Sequence, residues 1–225
     1  MIKKIRTELA ILAFLVVNVF LSYNLDIGLY NFFSNLNNGI GAIYLKEFFV
    51  GITELGDSLW YFLTIFFLFL VPFILVKLSL ISIKKYTYLK NFSILSFLYL
   101  LLVGLVTQVL KHLFGRPRPN HADFNENFGL NFFSTDSAFH SFPSGHSSTI
   151  VAVVLIAGLL VPSLKIFFYL CGFLIAVSRV VVGAHFVTDV AAGALIAIMF
   201  YKIFSSFVEK NKTEFSFKKF EIINI

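Results

Sequence analysis

Apolar and polar positions divide this chain into long, almost uninterrupted hydrophobic runs rather than short amphipathic ones. Six runs stand out, at about residues 8–23, 59–78, 92–110, 147–161, 166–182 and 186–207. Each approaches the roughly 20 apolar residues that a helix needs to cross a bilayer. Inside hydrocarbon a lone segment satisfies its backbone groups only by coiling into a helix, so the runs are read as helices. The fourth to sixth are less purely apolar, because polar and charged residues sit at their ends. Between the first two runs, residues 26–57 mix polar positions with Tyr30, Phe32, Phe33, Tyr44, Phe48 and Phe49, a pattern that predicts helices lying at the interface. No internal repeat or low-complexity tract interrupts the series. The expected fold is all-α: a polytopic membrane protein with about six transmembrane helices plus interfacial helices between the first two. It forms one membrane-embedded domain over residues 1–225, ending in a cytoplasmic tail from 208 to 225.

Composition strengthens this reading. Of 225 residues, 58% are hydrophobic and only 13% charged, about half the charged fraction of an ordinary soluble domain. The mean hydropathy is +0.87. The net charge of +6 does not imply a nucleic-acid partner, because the basic residues gather on no single polar face. They instead fit membrane topology. Thirteen fall on one side of the six-run scheme: Lys3, Lys4, Arg6, Lys77, Lys84, Lys85, Lys90, Lys165, Lys202, Lys210, Lys212, Lys218 and Lys219. The positive-inside rule makes that side, and both termini, cytoplasmic. The basic start and following apolar run resemble a signal peptide, but no small-x-small cleavage site follows at Leu21-Ser22-Tyr23-Asn24, so an uncleaved anchor is expected. Cys171 is alone in an apolar run and is read as a buried thiol. Zinc-type Cys/His spacing is absent.

Three polar clusters interrupt the apolar pattern, all within residues 111–189. The first is Lys111 with Arg118-Pro119, and Arg116 is a rival for the role of Arg118. Arginine offers bidentate donors to phosphate oxygens, and lysine a compact charge. The second, Pro143-Ser144-Gly145-His146, opens the fourth run. Ser144 can cap a helix, Gly145 lets backbone approach an anion, and the helix start points free N–H groups and the positive dipole end at it. His146 beside that site is placed to move a proton. The third is Ser178-Arg179 followed by His185 and Asp189. A cation at the end of an apolar run is costly unless used. His185 and Asp189 are four residues apart, on one helical face, so the carboxylate can accept a hydrogen bond from one ring nitrogen and leave the other to attack phosphorus. Both cluster-bearing loops fall on the extracytoplasmic side.

Lys-x6-Arg-Pro, Pro-Ser-Gly-His and Ser-Arg-x5-His-x3-Asp together resemble the complete signature of the type 2 phosphatidic acid phosphatase superfamily. Residue types, spacing and order all agree, and the six-run layout is similar to its membrane branch. The resemblance implies a histidine nucleophile, His185, that forms a phosphohistidine and is oriented by Asp189. It implies that His146 protonates the leaving alcohol and then activates water. Lys111, Arg118, Arg179, Ser144 and the Gly145 N–H would hold the phosphoryl oxygens. No metal or other cofactor is implied.

The expected function is therefore a lipid phosphate phosphatase, cleaving a terminal phosphate or diphosphate at the outer face of a bacterial inner membrane. Phosphotransfer to another lipid and non-catalytic transport of an anionic lipid are the alternatives. His112, His121 and His140 read as solvent-exposed loop residues. Asp123, Glu126 and Asp136 lack ligand-like spacing to a histidine, which disfavours a metal hydrolase. Phe124, Phe128, Phe132, Phe133, Phe139 and Phe142 could rest on the acyl-chain boundary. The sequence selects no particular lipid and gives no oligomeric state.

Overall fold

A computed structural model describes residues 23–36, 42–121 and 129–210, with positions 9, 10, 13 and 17 ahead of them. Every regular element among these residues is helical. We label the helices α1 (Tyr23–Leu36), α2 (Ala42–Thr53), α3 (Ser58–Lys77), α4 (Ile83–Phe114), α5 (Gly145–Leu160), α6 (Lys165–Val181) and α7 (Val187–Lys210). α1 and α2 occupy the aromatic-rich stretch where interfacial helices were expected.

Helix ends follow local chemistry. Asp57 caps α3 by accepting from the Leu59 N–H, and Ser82 caps α4 by accepting from Lys85 N–H. Gly115 ends α4 in the left-handed region at φ +52°, where an added Cβ would collide with the Asn131 carbonyl. Gly183 does the same after α6, at φ +71°.

The six-span expectation is met only in part. α3, α4, α6 and α7 are long and apolar enough to cross a membrane, whereas α5 has 16 residues. At about 1.5 Å per residue it rises about 24 Å, short of a hydrocarbon core of about 30 Å. The expected first span and the tail beyond 210 lie largely outside the described residues. α5 starts late because the preceding backbone, Ser141 to Ser144, enters the bundle in irregular form and is fully enclosed by protein. Lipid tolerates non-helical backbone only under such cover.

α5 is the central helix and packs most extensively on α6 and α7. Small residues allow the approach. Ala152, Ala192 and Ala197 are fully buried, and a Cβ on Gly193 would stand 2.4 Å from the Ser144 carbonyl oxygen. Backbone therefore meets backbone where α7 crosses the start of α5, as expected for helices that gain no hydrophobic drive from lipid. Further along, Tyr99 stacks on Phe204 at 5.0 Å and donates to the Ala197 carbonyl, tying α4 to α7. Large apolar side chains such as Leu59, Trp60, Phe67, Phe167 and Phe173 point outward, the inverse of a soluble surface.

Gly193→Ala should lower the melting temperature in detergent, because its new methyl has no room. Overpacking of about 1–3 kcal/mol corresponds to roughly 2–12 °C in a chain of this size. Gly51→Ala, where nothing lies within 4 Å of the added Cβ, should leave it level or raise it. Equal melting temperatures for Gly193→Ala and wild type would remove the close-approach account.

Candidate active site

The three sequence clusters meet at one end of the bundle, around a cavity of about 420 Å³. Lys111 and Arg118 reach it from the end of α4 and the loop beyond. Gly145 and His146 reach it from the start of α5, Arg179 from the end of α6, and His185 from the turn before α7. Asp57 and Ser58 line it from the start of α3. The opposite flank is apolar, built by Phe62 of α3 with Leu100, Leu101 and Leu105 of α4. A charged end thus adjoins a greasy side.

The cations are held by neutral oxygens. Lys111 Nζ donates to the His140 carbonyl at 2.7 Å, Arg118 Nε to the Ser137 carbonyl at 3.1 Å, and Arg179 to Thr53 Oγ1 at 2.7 Å. Among the described residues none of the three forms a salt bridge. Their positive charge is left to the cavity, where a phosphoryl group can use it.

Arg116 is different. Its guanidinium is fully buried, bridging Asp26 at 2.8 Å and Asp189 at 2.6 Å, and lies 4.3 Å from the centre of the Phe186 ring. Two carboxylates neutralise it, and it does not line the cavity. The geometry separates the two arginines that sequence left as rivals: Arg118 faces the cavity, Arg116 braces what lies behind it.

His185 Nδ1 lies 2.8 Å from the Ser141 carbonyl oxygen. A carbonyl only accepts, so Nδ1 carries the hydrogen and Nε2 keeps its lone pair. Asp189 does not make the direct hydrogen bond expected from the spacing, because its Oδ2 stands 3.9 Å from Nδ1. That oxygen instead accepts from Ser141 Oγ at 2.6 Å and from the Phe186 N–H at 2.8 Å. Ser141 therefore stands between the two, its hydroxyl on Asp189 and its carbonyl on the ring. Burial, opposed in part by Asp189, pushes the His185 pKa down to about 3. The ring is therefore neutral at ordinary pH.

Ser144 does not line the cavity. It is fully buried and caps α5, its Oγ accepting from Ser147 Oγ at 2.9 Å and, weakly, from Ser147 N–H at 3.4 Å. Gly145 does line it, beside Lys111, and its N–H belongs to the unsatisfied first turn of α5. The His146 ring packs on Gly56, where a Cβ would come within 2.8 Å of it. His112 and His140 stack with centroids 4.3 Å apart, outside the cavity lining. Phe142 is not at the acyl-chain boundary: it is fully buried, edge-on to Phe114 at 5.3 Å. Phe132 and Phe133 are exposed, and Phe124, Phe128, Asp123 and Glu126 lie outside the described residues. Asp136 caps a short turn at Ser137–Phe139.

The family model of the PAP2 superfamily matches residues 93–213, over half the chain and all three clusters. The chain belongs to the PAP2 superfamily. Among curated PAP2-like relatives, lipid A 1-phosphatase of Rhizobium johnstonii is 38% identical over 144 residues, covering 63% of this chain and 59% of its own. That of Rhizobium etli is 36% identical over 151 residues, covering 66% and 65%. The chain thus spans less than two thirds of the length of these two relatives. Phosphatidylglycerophosphatase B of Bacillus subtilis is 33% identical over 183 residues, covering 75% and 78%. The crystal structure of a transmembrane PAP2-type phosphatidylglycerolphosphate phosphatase from Bacillus subtilis superposes with a TM-score of 0.70 at 25% identity, over 97% of this chain and 99% of that one. Aquifex aeolicus LpxE superposes at 0.52 and 24% identity, over 78% and 93%, a likeness of fold alone.

Sequence reasoning missed several residues of this PAP2 site. Ser141, Thr53 and Gly56 belong to no motif, and their partners lie far away in sequence. Asp26 carried one usable signal, a carboxylate among aromatics at a membrane boundary, which is costly unless paired.

Three outcomes follow from this geometry. Arg116→Ala strands two buried carboxylates, so it should cost about 3–5 kcal/mol and sharply lower the melting temperature. Arg118→Ala should leave the fold intact and instead abolish the thermal stabilisation given by orthovanadate; the reverse pattern would exchange the two roles. Acid should also destabilise the protein. Unfolded, the His185 ring takes up a proton near pH 6.5, whereas the folded site resists it down to about 3. Stability unaffected by the ring above pH 6.5 is therefore lost progressively between pH 6.5 and 3. In His185→Asn, where the amide can still donate to Ser141, that part of the decline should disappear from pH-dependent melting curves.

Proposed function

We propose that this chain is a membrane-embedded lipid phosphate phosphatase that hydrolyses a terminal phosphate or diphosphate at the extracytoplasmic face through a phosphohistidine. The observation that carries the reading is the cavity itself. Three cations that form no salt bridge among the described residues and a neutral imidazole meet at one end, and an apolar flank continues along α3 and α4. A water-soluble phosphate has no use for that flank, whereas an acyl or prenyl chain does.

The chemistry follows from the atoms in place. Lys111, Arg118, Arg179 and the first-turn N–H groups of α5 hold the non-bridging oxygens, and most of the acceleration in phosphoryl transfer comes from such positioning and charge neutralisation. The His185 Nε2 lone pair forms a bond to phosphorus while the bond to the lipid oxygen breaks. The His146 ring, held toward its neutral form by burial and by Arg179, takes up a proton as the anionic phosphate binds beside it and gives that proton to the leaving oxygen. Neutral His146 then takes a proton from water, whose oxygen attacks phosphorus, and the P–N bond breaks to release phosphate and restore His185. Asp189 stabilises the transient charge on His185, acting through Ser141 and across 3.9 Å. Ser144 serves by fixing the start of α5.

The helix directions support the sidedness. The cavity residues sit at the start of α3, the end of α4, the start of α5, the end of α6 and just before α7, whereas Lys77, Lys84, Lys85, Lys165 and Lys202 sit at or near the opposite ends. By the positive-inside rule this distribution supports cytoplasmic lysines and an outward-facing cavity. The names of the relatives, lipid A 1-phosphatase and phosphatidylglycerophosphatase, support a lipid substrate.

The decisive assay is phosphate release by purified protein from lipid A, phosphatidylglycerol phosphate, phosphatidic acid and polyprenyl diphosphate, against glucose 6-phosphate. Long-chain substrates should exceed the soluble ester in kcat/KM by over about a hundredfold, since each buried methylene contributes up to about 0.8 kcal/mol. His185→Ala should be inactive, and Asp189→Asn should lose roughly 10⁴-fold. Normal turnover by His185→Ala would overturn the mechanism, and equal efficiency on glucose 6-phosphate would overturn the lipid assignment. Transfer of the phosphate to a second lipid would identify a phosphotransferase, and binding without release a carrier.

A further inference from the structure

Behind His185 lies a buried polar network that the reaction does not use directly and that begins on α1, far upstream of the three clusters. Asp26 is 2% exposed. Its Oδ2 accepts from Arg116 Nη2 at 2.8 Å and from Thr188 Oγ1 at 2.5 Å, and its Oδ1 faces the Thr188 N–H at 3.3 Å. Thr188 Oγ1 in turn accepts from Arg116 Nη1 at 2.8 Å. That same Nη1 donates to Asp189 Oδ1 at 2.6 Å.

The arrangement restrains a group that would otherwise bind differently. A guanidinium beside a single carboxylate prefers two parallel bonds, one to each oxygen. Here Asp26 holds the second arm of the fork, so Arg116 reaches Asp189 with one arm only. Asp189 Oδ2 is thereby left to Ser141 Oγ and the Phe186 N–H. The Ser141 carbonyl then fixes the hydrogen on His185 Nδ1 and turns Nε2 toward the cavity.

Resting on the phosphatase reading above, we propose that Asp26 is a positioning residue for the nucleophile. With Thr188 it fixes Arg116 so that Asp189 keeps one oxygen for Ser141, and Ser141 orients His185. Without Asp26 the fork closes on Asp189, competes with the Ser141 hydroxyl, and loosens the ring. The effect falls on the chemical step, because none of these groups lines the cavity where the substrate sits except His185 itself.

The test uses the purified full chain with Asp26→Asn, Thr188→Val, Ser141→Ala and the Asp26→Asn/Ser141→Ala double variant. Two readouts are taken on protein that elutes as a single folded species. The first is the ¹⁵N spectrum of the His185 ring, identified by its loss in His185→Asn. Wild type should show one tautomer, hydrogen on Nδ1, and Asp26→Asn and Thr188→Val should show a mixture. The second is kinetic. A small misplacement of a reacting group can cost on the order of 10²-fold, so kcat on phosphatidic acid should fall on that order while KM stays within about twofold. In the Ser141→Ala background, Asp26→Asn should add little further loss, because the link it acts through is already cut.

Thr188→Val keeps every charge in place, so it decides the matter if Asp26→Asn does not fold. An unchanged tautomer in folded Asp26→Asn or Thr188→Val overturns the proposal. So do independent, multiplying losses in the double variant. If wild type releases no phosphate, the phosphatase reading fails, and the tautomer still decides whether Asp26 positions His185.

Discussion

The end of the molecule that carries the cavity is organised around one buried carboxylate. Asp189 has no exposed surface, and an ionised carboxylate in that position is costly unless donors surround it. Arg116, Ser141 and the Phe186 N–H supply them, from the loop after α4, the loop before α5 and the turn into α7. Its own carbonyl accepts the Ser144 N–H, which fixes where α5 begins. Satisfying this one group therefore sets the start of the central helix, the height of His185 and the place of Arg116 together. Because Arg116 also meets Asp26, the requirement reaches α1.

The same economy of charge explains why four basic residues gathered at one end do not act alike. Arg116 faces two carboxylates and is electrically spent. Lys111, Arg118 and Arg179 rest on carbonyl and hydroxyl oxygens, which fix direction without cancelling charge. Close cations in a poorly screened site repel one another, so the fold must hold them by force of packing. The tight α5–α7 crossing at Gly193, the Gly56 contact with His146 and the left-handed turns at Gly115 and Gly183 provide the rigid frame.

The motif residues were legible from sequence because phosphate chemistry demands particular side chains at fixed spacing. Lys111, Arg118, Gly145, His146, Arg179 and His185 all reach one cavity. The second to sixth apolar runs were also legible as helices, since helices in lipid are written in composition alone. Other features depend on partners that spacing does not reveal. Ser141 reads as an ordinary loop serine until the fold sets it between Asp189 and His185. The i,i+4 spacing placed His185 near Asp189 correctly but could not foresee that a serine would occupy the gap. Ser144 looked like a phosphate ligand because capping and anion binding favour the same residue, and only geometry shows its hydroxyl turned to Ser147. Phe142 seemed free to meet lipid, yet packing against Phe114 and Ala192 enclosed it.

Three cations held by neutral oxygens have a further consequence for how the cavity fills. A pocket that gathers three basic side chains against one lining carboxylate, Asp57, favours an anion inside it, and the small anions of the surrounding salt compete for that place. A phosphorylated ligand entering it takes part in an exchange of one anion for another, rather than an addition to an empty space. Occupancy then depends on which anions compete and at what concentration.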